Sequence, residues 1–364
     1  MAYTTIDDPS AYFQTALYTG NGSTGQNITN DGNSDLQPDW VWAKRRDANT
    51  SHGLVDSSRG VRKVLSSNGT SAEVAESAGN TLTAFLSDGF TVGDDGNYTA
   101  FNASGSSIVA WQWKCNGGTT TSNTNGTNIT STVQANTTAG FSIVTWTGTG
   151  TISDTVGHGL GVTPDVVIAK ERSDTDWWHM RHESLGSTEN LFLNETNAAR
   201  NATGGDYGGN IDGLTSSVFG FSTNSGGDAV AVNDDTETNV AYCFAEVQGY
   251  SKFGSYTGNG NADGPFVYTG FKPAWIMVKL SSGSGEDWHM FDSSRSTSNV
   301  VKERLIANDS DAENANDSIL DFVSNGFKLR ESNAGWNGDG NTYIYMAFAE
   351  HPFVSSEGVP TTAG

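Results

Sequence analysis

Three histidines stand at matching places along the chain and are the first residues that could do chemistry. His52, His179 and His289 follow a proline by 14, 15 and 16 residues. An imidazole three or four residues before an aspartate can form an acid–base pair or half of a metal site. A ring that hydrogen-bonds a neighbouring loop explains the same spacing. Three copies favour the structural role, and the middle copy has His182 in place of the aspartate.

Five tryptophans lie beside Asn, Asp and Gly, the residues that could hold a sugar ring between an indole face and polar side chains. They are Trp42, Trp177, Trp178, Trp288 and Trp336. The alternative is that they are core residues of a sheet whose glycines leave space for large rings. With both interpretations open, these tryptophans and the three histidines are our candidate glycan contacts.

Motifs of known catalytic sites are absent from the sequence. It contains no Gly-x-Ser-x-Gly, no His-Glu-x-x-His and no Cys-x-x-Cys, and its acidic residues cluster in Gly/Asn turns rather than in pairs that could flank a glycosidic bond. We predict no enzyme, no catalytic residue, no metal ligand and no cofactor. Calcium bound by an acidic turn remains a minor alternative.

The candidate residues belong to a unit that the chain repeats three times. YTGNG at Tyr18–Gly22 recurs at Tyr256–Gly260, and TWTGTG fills the same place at Thr145–Gly150. Each copy continues with a proline-led apolar run ending in lysine, then the histidine, a Gly-Phe pair and a closing aromatic run. Because the order of these landmarks never changes, we infer a triplicated unit of about 100–110 residues.

The repeated runs have the character of β-strands. They are short, rich in β-branched and aromatic residues, and begin at proline, while Gly-Asn, Asp-Gly and Asn-Gly pairs supply turns. We therefore predict an all-β chain of three tandem antiparallel β-sandwiches at residues 1–116, 140–249 and 250–364. Residues 117–139, rich in Thr, Asn and Gly, are predicted to be an extended, flexible linker, and units two and three to pack as a pair. Only Ser71–Ala78 and Asp309–Val323 could be helical.

Composition restricts the partners. The 364 residues carry 41 acidic and 19 basic side chains, a net charge of −22, which opposes binding to nucleic acid and to anionic membranes. No apolar run is long enough to cross a bilayer. The first residues lack the basic and apolar segments of a signal peptide, so we expect none. Cys115 and Cys243 are predicted to be buried free thiols.

The segments MAYTTIDDPSAYFQ, YTGNG, QPDWVWAK, DSSRG, AWQWK and AFAEHPFVSS together resemble a repeated domain in virion structural proteins of marine tailed phages that infect cyanobacteria and pelagic bacteria. The resemblance covers essentially the whole chain, and the middle copy diverges most. It implies β-sandwiches of concanavalin-like or jelly-roll-like type in a structural protein, often suggested to belong to tail fibres. It carries over no catalytic residue.

The leading hypothesis is a virion surface protein of the tail fibre, a lectin-like receptor-binding component that holds host-surface glycans without cutting them. Three linked weak sites would raise avidity. The alternative is a capsid decoration or head-fibre protein, in which three units in one chain mimic a trimer; a depolymerase is the least favoured. The expected partners are other virion proteins and host glycans, with a homo-oligomer left open. The expected location is the virion, assembled in the host cytoplasm.

Overall fold

The computed structural model describes residues 2–77, 79–94, 100–201, 210–222 and 231–360. Strands account for 43% of the structure and helices for 3%, and every paired strand of the sheets is antiparallel apart from isolated bridges. The predicted all-β class, built of sandwiched antiparallel sheets, is confirmed. The few helical turns in the described ranges are two 3-10 segments, Pro9–Ala11 and Ala231–Asn233, and one short helix, α1 (Ala334–Asn337).

Unit one contains a large sheet and a small sheet. The large sheet, in the order β1-β9-β3-β4, consists of β1 (Phe13–Thr19), β3 (Trp40–Arg45), β4 (Gly53–Asp56) and β9 (Ser107–Trp113). The small sheet, in the order β2-β8-β7, consists of β2 (Gln26–Ile28), β7 (Leu82–Phe85) and β8 (Phe90–Val92). A short ribbon joins β5 (Lys63–Val64) to β6 (Val74–Ala75).

Unit two repeats this plan with additional strands at the edges of its large sheet. The order is β10-β11-β12-β20-β14-β15-β16-β17, formed by β10 (Thr121–Asn123), β11 (Ser131–Asn136), β12 (Phe141–Thr147), β14 (Val166–Glu171), β15 (Trp178–His182), β16 (Glu189–Phe192), β17 (Arg200–Asn201) and β20 (Thr238–Phe244). Its small sheet, in the order β13-β19-β18, consists of β13 (Thr155–Gly157), β18 (Asn210–Asp212) and β19 (Val218–Ser222).

Unit three has the same pair of sheets. The large one, in the order β21-β28-β23-β24-β25, consists of β21 (Ser251–Thr257), β23 (Phe271–Leu280), β24 (Trp288–Asp292), β25 (Leu305–Ile306) and β28 (Thr342–Pro352). The small one, in the order β22-β27-β26, consists of β22 (Phe266–Tyr268), β26 (Leu320–Val323) and β27 (Gly326–Leu329). The repeat read from the sequence is thus a repeat of strand order. The exact unit boundaries stay a prediction.

The central strand of each large sheet is buried on both faces, and alternate residues serve different cores. In β14, Val167 and Ala169 face the small sheet of their own unit, whereas Val166 and Ile168 face the other two units. Side chains alternate along a strand, so one short apolar run fills two cores at once. The outer cores are separate, one for each sandwich, while the inner faces of all three large sheets share one core.

Ring contacts in the shared core join every pair of units. The ring centroids of Trp40 and Tyr242, from units one and two, lie 4.1 Å apart. Phe348 of unit three lies 5.4 Å from Phe13 of unit one and 5.7 Å from Phe244 of unit two. The three sandwiches therefore form a closed ring around one apolar centre, and unit one does not stand apart from a two–three pair as we expected.

The predicted flexible linker at 117–139 is wrong, because the segment contains β10 and β11, which extend the large sheet of unit two. The polar composition did not distinguish a linker from a strand, because Thr and Val are both common in strands. Hydrogen bonds to the side chain of Gln134 also hold the segment in place. The Oε1 atom of Gln134 accepts hydrogen bonds from the backbone N–H groups of Asn116 and Gly118 at 3.0 and 2.7 Å.

The two segments with expected helical character contain strands instead. The described part of Ser71–Ala78 holds β6, and Asp309–Val323 holds β26; Ala78 itself lies outside the described residues. Each segment crosses to a neighbouring unit: the backbone N–H of Glu73 donates to the carbonyl oxygen of Arg172, and that of Glu313 to the carbonyl oxygen of Arg46. Their acidic residues belong to the unit boundaries.

The repeated YTGNG turn is held by a buried asparagine in each unit. Asn337 accepts a hydrogen bond from the backbone N–H of Asn259 at 2.9 Å and donates to the carbonyl oxygens of Asn261 and Glu331 at 2.8 and 2.7 Å. The last glycine of the turn, Gly260, has φ of 61°, a conformation that favours glycine. The corresponding asparagines of units one and two are Asn102 and Asn233. The turn recurs because each sandwich needs the same clamp.

We expect Asn337→Ala to lower the free energy of unfolding by about 2–4 kcal/mol, since several buried backbone groups would lose their partner. Chemical denaturation measures the change. The exposed Asn316→Ala is the control and should stay within about 0.5 kcal/mol of the wild type. Equal effects of the two substitutions would contradict the role of Asn337 in holding the turn.

Candidate functional site

Four of the five candidate tryptophans are closed to any glycan. Trp42, Trp178, Trp288 and Trp336 are each at most 1% exposed, so they were wrong as sugar contacts in this fold. Their Asn, Asp and Gly neighbours occupy turns, while the rings point into cores. Trp177 alone is half-buried, with its ring centroid 5.5 Å from that of Phe192.

Two of these tryptophans instead tie one unit to the next. The indole Nε1–H of Trp178 in unit two donates to the carbonyl oxygen of Ser66 in unit one at 2.8 Å. The indole of Trp288 in unit three donates to the carbonyl oxygen of Phe192 in unit two at 2.9 Å. The strand registers place the two donors at equivalent positions, and likewise the two acceptors. Each of these two indoles thus donates a hydrogen bond to the preceding unit of the chain.

His52 closes this cycle of hydrogen bonds. By strand register it corresponds to Trp178 and Trp288, one residue away from the position of the other two histidines. The indole N–H of Trp42 donates to Nδ1 of His52 at 2.9 Å, so Nε2 carries the proton and donates to the carbonyl oxygen of Ile306 in unit three at 2.9 Å. Unit one therefore donates the equivalent hydrogen bond to unit three, and the three bonds together connect the units in a cycle.

The candidate histidines do not converge on a common site. His179 and His289 are buried in the sandwiches of units two and three; Asn190 hydrogen-bonds Nδ1 of His179 at 3.2 Å, and the His289 ring packs edge-on against Trp336. Burial lowers the pKa of His52, His179 and His289 to about 3. As neutral, enclosed rings, they are wrong as glycan contacts.

The sequence DSSR occurs at Asp56–Arg59 in unit one and at Asp292–Arg295 in unit three, and the copy in unit one anchors a charged network at the one–two boundary. Asp56 and Arg59 form an ion pair whose side chains are 0% exposed. Arg59 also contacts Glu73 at 2.8 Å, and Glu73 binds Arg172 of unit two at 2.9 Å. The hydroxyl of Tyr242, again from unit two, donates to Asp56 at 2.7 Å. Each charged side chain of this network has an oppositely charged partner, which offsets the cost of its burial.

The three–one boundary carries the same network with one change of donor. Asp292 pairs with Arg295 at 2.6 Å, Arg295 with Glu313 at 3.0 Å, and Glu313 with Arg46 of unit one at 2.6 Å. The indole N–H of Trp111 takes the place of the tyrosine hydroxyl and donates to Asp292 at 2.9 Å. The one–two and three–one boundaries therefore have the same arrangement of Asp, Arg, Glu and Arg side chains.

At the two–three boundary the whole network is uncharged. His182 hydrogen-bonds the carbonyl oxygen of Tyr345 through Nε2 at 3.1 Å, and burial lowers its pKa to about 4. An aspartate here would lack the side-chain donor that crosses the other two boundaries, because the tyrosine or indole is replaced by a methionine. The residues at the five network positions are His182, Leu185, Ala199, Ser281 and Met346.

An open groove lies at the three–one boundary, outside the predicted site. One cavity of about 170 Å³ lies between the start of β1 and the DSSR serines Ser293 and Ser294. A second, of about 300 Å³, adjoins it and is lined by Lys272, Asn299 and Glu350. Lys272 and Glu350 form an ion pair at 3.1 Å. Hydroxyl, amide, ammonium and carboxylate groups thus line one continuous polar surface.

Neither a metal centre nor a membrane segment emerges from the described ranges. They contain no group of three His, Cys, Asp or Glu side chains that could hold a metal ion. Over the same residues, no helix is long and apolar enough to span a bilayer. The expected absence of a cofactor stays a prediction. Cys115 and Cys243 are buried free thiols.

Residues 8–352 match a family described as a domain of unknown function, DUF7483. The chain belongs to this family. The matched segment takes in sheets from all three sandwiches, so the DUF7483 domain corresponds to the closed ring rather than to one repeat. No curated protein and no solved structure matches the chain.

Sequence reasoning missed the groove residues of this DUF7483 chain. Ser293 and Ser294 belong to the DSSR motif, Asp292–Arg295, of which we considered only the aspartate, as a partner of the histidine. Lys272 and Glu350 are 78 residues apart and meet only because β23 pairs with β28. The signal that could have drawn attention to the motif is its retention in units one and three, where it forms the boundary network.

Replacing Tyr242 by phenylalanine should lower the free energy of unfolding by about 1.5–3 kcal/mol, because the buried Asp56 loses a charge-assisted hydrogen bond. Thermal or chemical denaturation measures the loss. Tyr268→Phe, at a ring that is 52% exposed, is the control and should change stability by less than about 0.5 kcal/mol. A neutral Tyr242→Phe would remove the argument that the networks hold the ring together.

The buried His289 predicts a pH dependence. Its pKa is about 3 in the fold against about 6.5 in an unfolded chain, so its contribution is fully present above pH 6.5 and is lost as the pH falls towards 3. Relative to His289→Leu, the wild type should lose about 2 kcal/mol between pH 7 and pH 5. Denaturation at both pH values measures the difference, with Asn316→Ala as a control that keeps the wild-type slope. Equal slopes for wild type and His289→Leu would refute the assignment.

Proposed function

We propose that this chain is a non-catalytic structural protein on the surface of a phage particle, in which three sandwiches act as one body with approximate threefold symmetry. The phage context rests on the sequence resemblance described above. The closed cycle of Trp178, Trp288 and His52, each donating to the preceding unit, is the observation that supports the symmetry.

A body of this shape suits a threefold position on a shell. A homotrimer meets such a site with three copies of one surface, and a ring of three similar sandwiches offers three similar surfaces from a single chain. The net charge of −22 would keep coated particles apart in solution. Among the virion roles, we therefore favour capsid decoration or a head fibre over a tail fibre.

The polar groove at the three–one boundary supports a second candidate, a tail-fibre or receptor-binding component that contacts host glycans. Its hydroxyl, amide and charged groups can hydrogen-bond sugar hydroxyls. The burial of four candidate tryptophans removes four of the five stacking platforms on which the glycan hypothesis was built. At the one–two boundary, Gln134 fills the corresponding place, so a receptor role would use this groove instead of three equal sites.

Gold-labelled antibody on purified particles tests the proposal. We expect label on the head, and a reconstruction that shows three-lobed density at positions of local threefold symmetry. Label confined to the tail, with host-cell binding that free glycan abolishes and Lys272→Ala weakens, would overturn it in favour of the second candidate. The exposed Lys302→Ala, which changes the charge equally, is the control for the cell-binding arm. Release of reducing sugar from host polysaccharide by the protein would contradict both roles.

A further inference from the structure

Unit two shows how the edge of a large sheet can take up an extra strand. The strand β11 pairs antiparallel with β12, which would otherwise be the edge of the sheet, so that Gln134 lies opposite Ile143. From there the Nε2 atom of Gln134 donates to the hydroxyls of Ser57 and Ser58 in the DSSR motif of unit one, at 2.9 Å each. A polar, extended segment thus closes the one–two boundary.

The same edge in unit one is open. Strand β1 corresponds to β12 by register, and no strand in the described ranges pairs with its outer edge. Natural edge strands are protected by lysine, proline or a bulge, yet β1 reads FQTALYT and has none of these. Leu17 on this strand is 42% exposed. Such an edge is a template for pairing with another strand.

The groove beside β1 also lacks the polar group that Gln134 supplies in unit two. Thr15 occupies the place of Ile143, and its Oγ1 atom is buried without a hydrogen-bond partner in the described part of the chain. Across the groove stand Ser293 and Ser294, the counterparts of Ser57 and Ser58. Their hydroxyls make no hydrogen bond to the residues that the structure describes.

We infer that the groove at the three–one boundary binds an extended segment of a partner protein, which pairs with β1 as β11 pairs with β12. The segment has the chemistry of Ser131–Asn136: Ser, Val and Ala alternating with Thr, Gln and Asn, with a side-chain amide directed at Ser293 and Ser294. The adjoining cavity beside Lys272 and Glu350 extends the site. This inference does not depend on where the protein sits on a particle.

A labelled peptide with the chain's own sequence ITSTVQANTT, residues 129–138, is the probe for the full-length protein. We expect saturable binding by fluorescence polarisation. Replacing the peptide glutamine by alanine removes two hydrogen bonds and should weaken binding about tenfold. Replacing the adjacent threonine and valine of the peptide by two prolines should abolish binding, because one of those two backbone N–H groups faces β1 and proline has no N–H to donate. Absence of saturable binding would overturn the inference.

Variants of the protein locate the site. Leu17→Lys places a charge on the exposed edge and should abolish peptide binding, and the double variant Ser293→Ala/Ser294→Ala should weaken it about tenfold. The matched control is Ser255→Lys, at the equivalent exposed position of β21 in unit three; it should bind like the wild type. All variants should unfold at the wild-type temperature, since these side chains are exposed or half-buried.

Two outcomes would overturn the assignment. Binding lost in Ser255→Lys and kept in Leu17→Lys would move the site to unit three. A concentration-dependent dimer in sedimentation that Leu17→Lys abolishes would make the occupant a second copy of this chain rather than a partner protein.

Discussion

Burial of the inner faces of three large sheets against one another is the constraint on which the rest of the molecule depends. Each central strand is apolar on both faces, so a sandwich that covers only its outer face would leave the inner one in water. Indoles and phenyl rings such as Trp40 and Phe348 fill that centre, and each large ring buried there contributes on the order of 1.5–3 kcal/mol. We therefore expect the ring to unfold as one body, and we place the folding unit at the ring rather than at the single repeat.

Polar groups at the boundaries follow from this burial. A strand that enters the shared core brings polar ends and loops with it, and each buried donor, acceptor or charge needs a partner. Two boundaries meet that need with an Asp–Arg–Glu–Arg network, and the third with neutral groups throughout. Five positions change together there because any one charge left behind would be unpaired, which costs several kcal/mol. The absence of DSSR from unit two is therefore matched by neutral residues at the facing positions of unit three.

The all-β class and the repeat could be predicted because both rest on local patterns: short apolar runs, turn pairs and a fixed order of landmarks. The closed ring could not, because an apolar run such as VVIAK indicates burial on both faces without naming the partner. Spacing from a proline misaligned His52 by one residue, because Ala43 pairs with Gly53 where Ala169 pairs with His179, so His52 lies one step earlier on an otherwise equivalent hairpin. Neighbouring Asn and Gly suggested exposed tryptophans, but the exposure of Trp178 or Trp288 depends on sheets distant in sequence. For residues 117–139, composition misled because a Thr-rich strand at a sheet edge has the same polar content as a linker.

The approximate symmetry also indicates where to look for function, because three equivalent boundaries would have three equivalent surfaces. At the one–two boundary, Gln134 and β11 fill the space. At the two–three boundary, neutral residues replace the charged network. At the three–one boundary, a groove is open beside the unpaired edge of β1. Packing in the shared core explains the features that all three boundaries have in common. It places no requirement on the groups that cover the DSSR serines at the surface. The open groove therefore follows from neither packing nor the repeat. The fold leaves this surface uncovered, whereas β11 of the same chain covers the equivalent surface at the one–two boundary. The uncovered surface is therefore the part of the molecule that we expect a partner to bind.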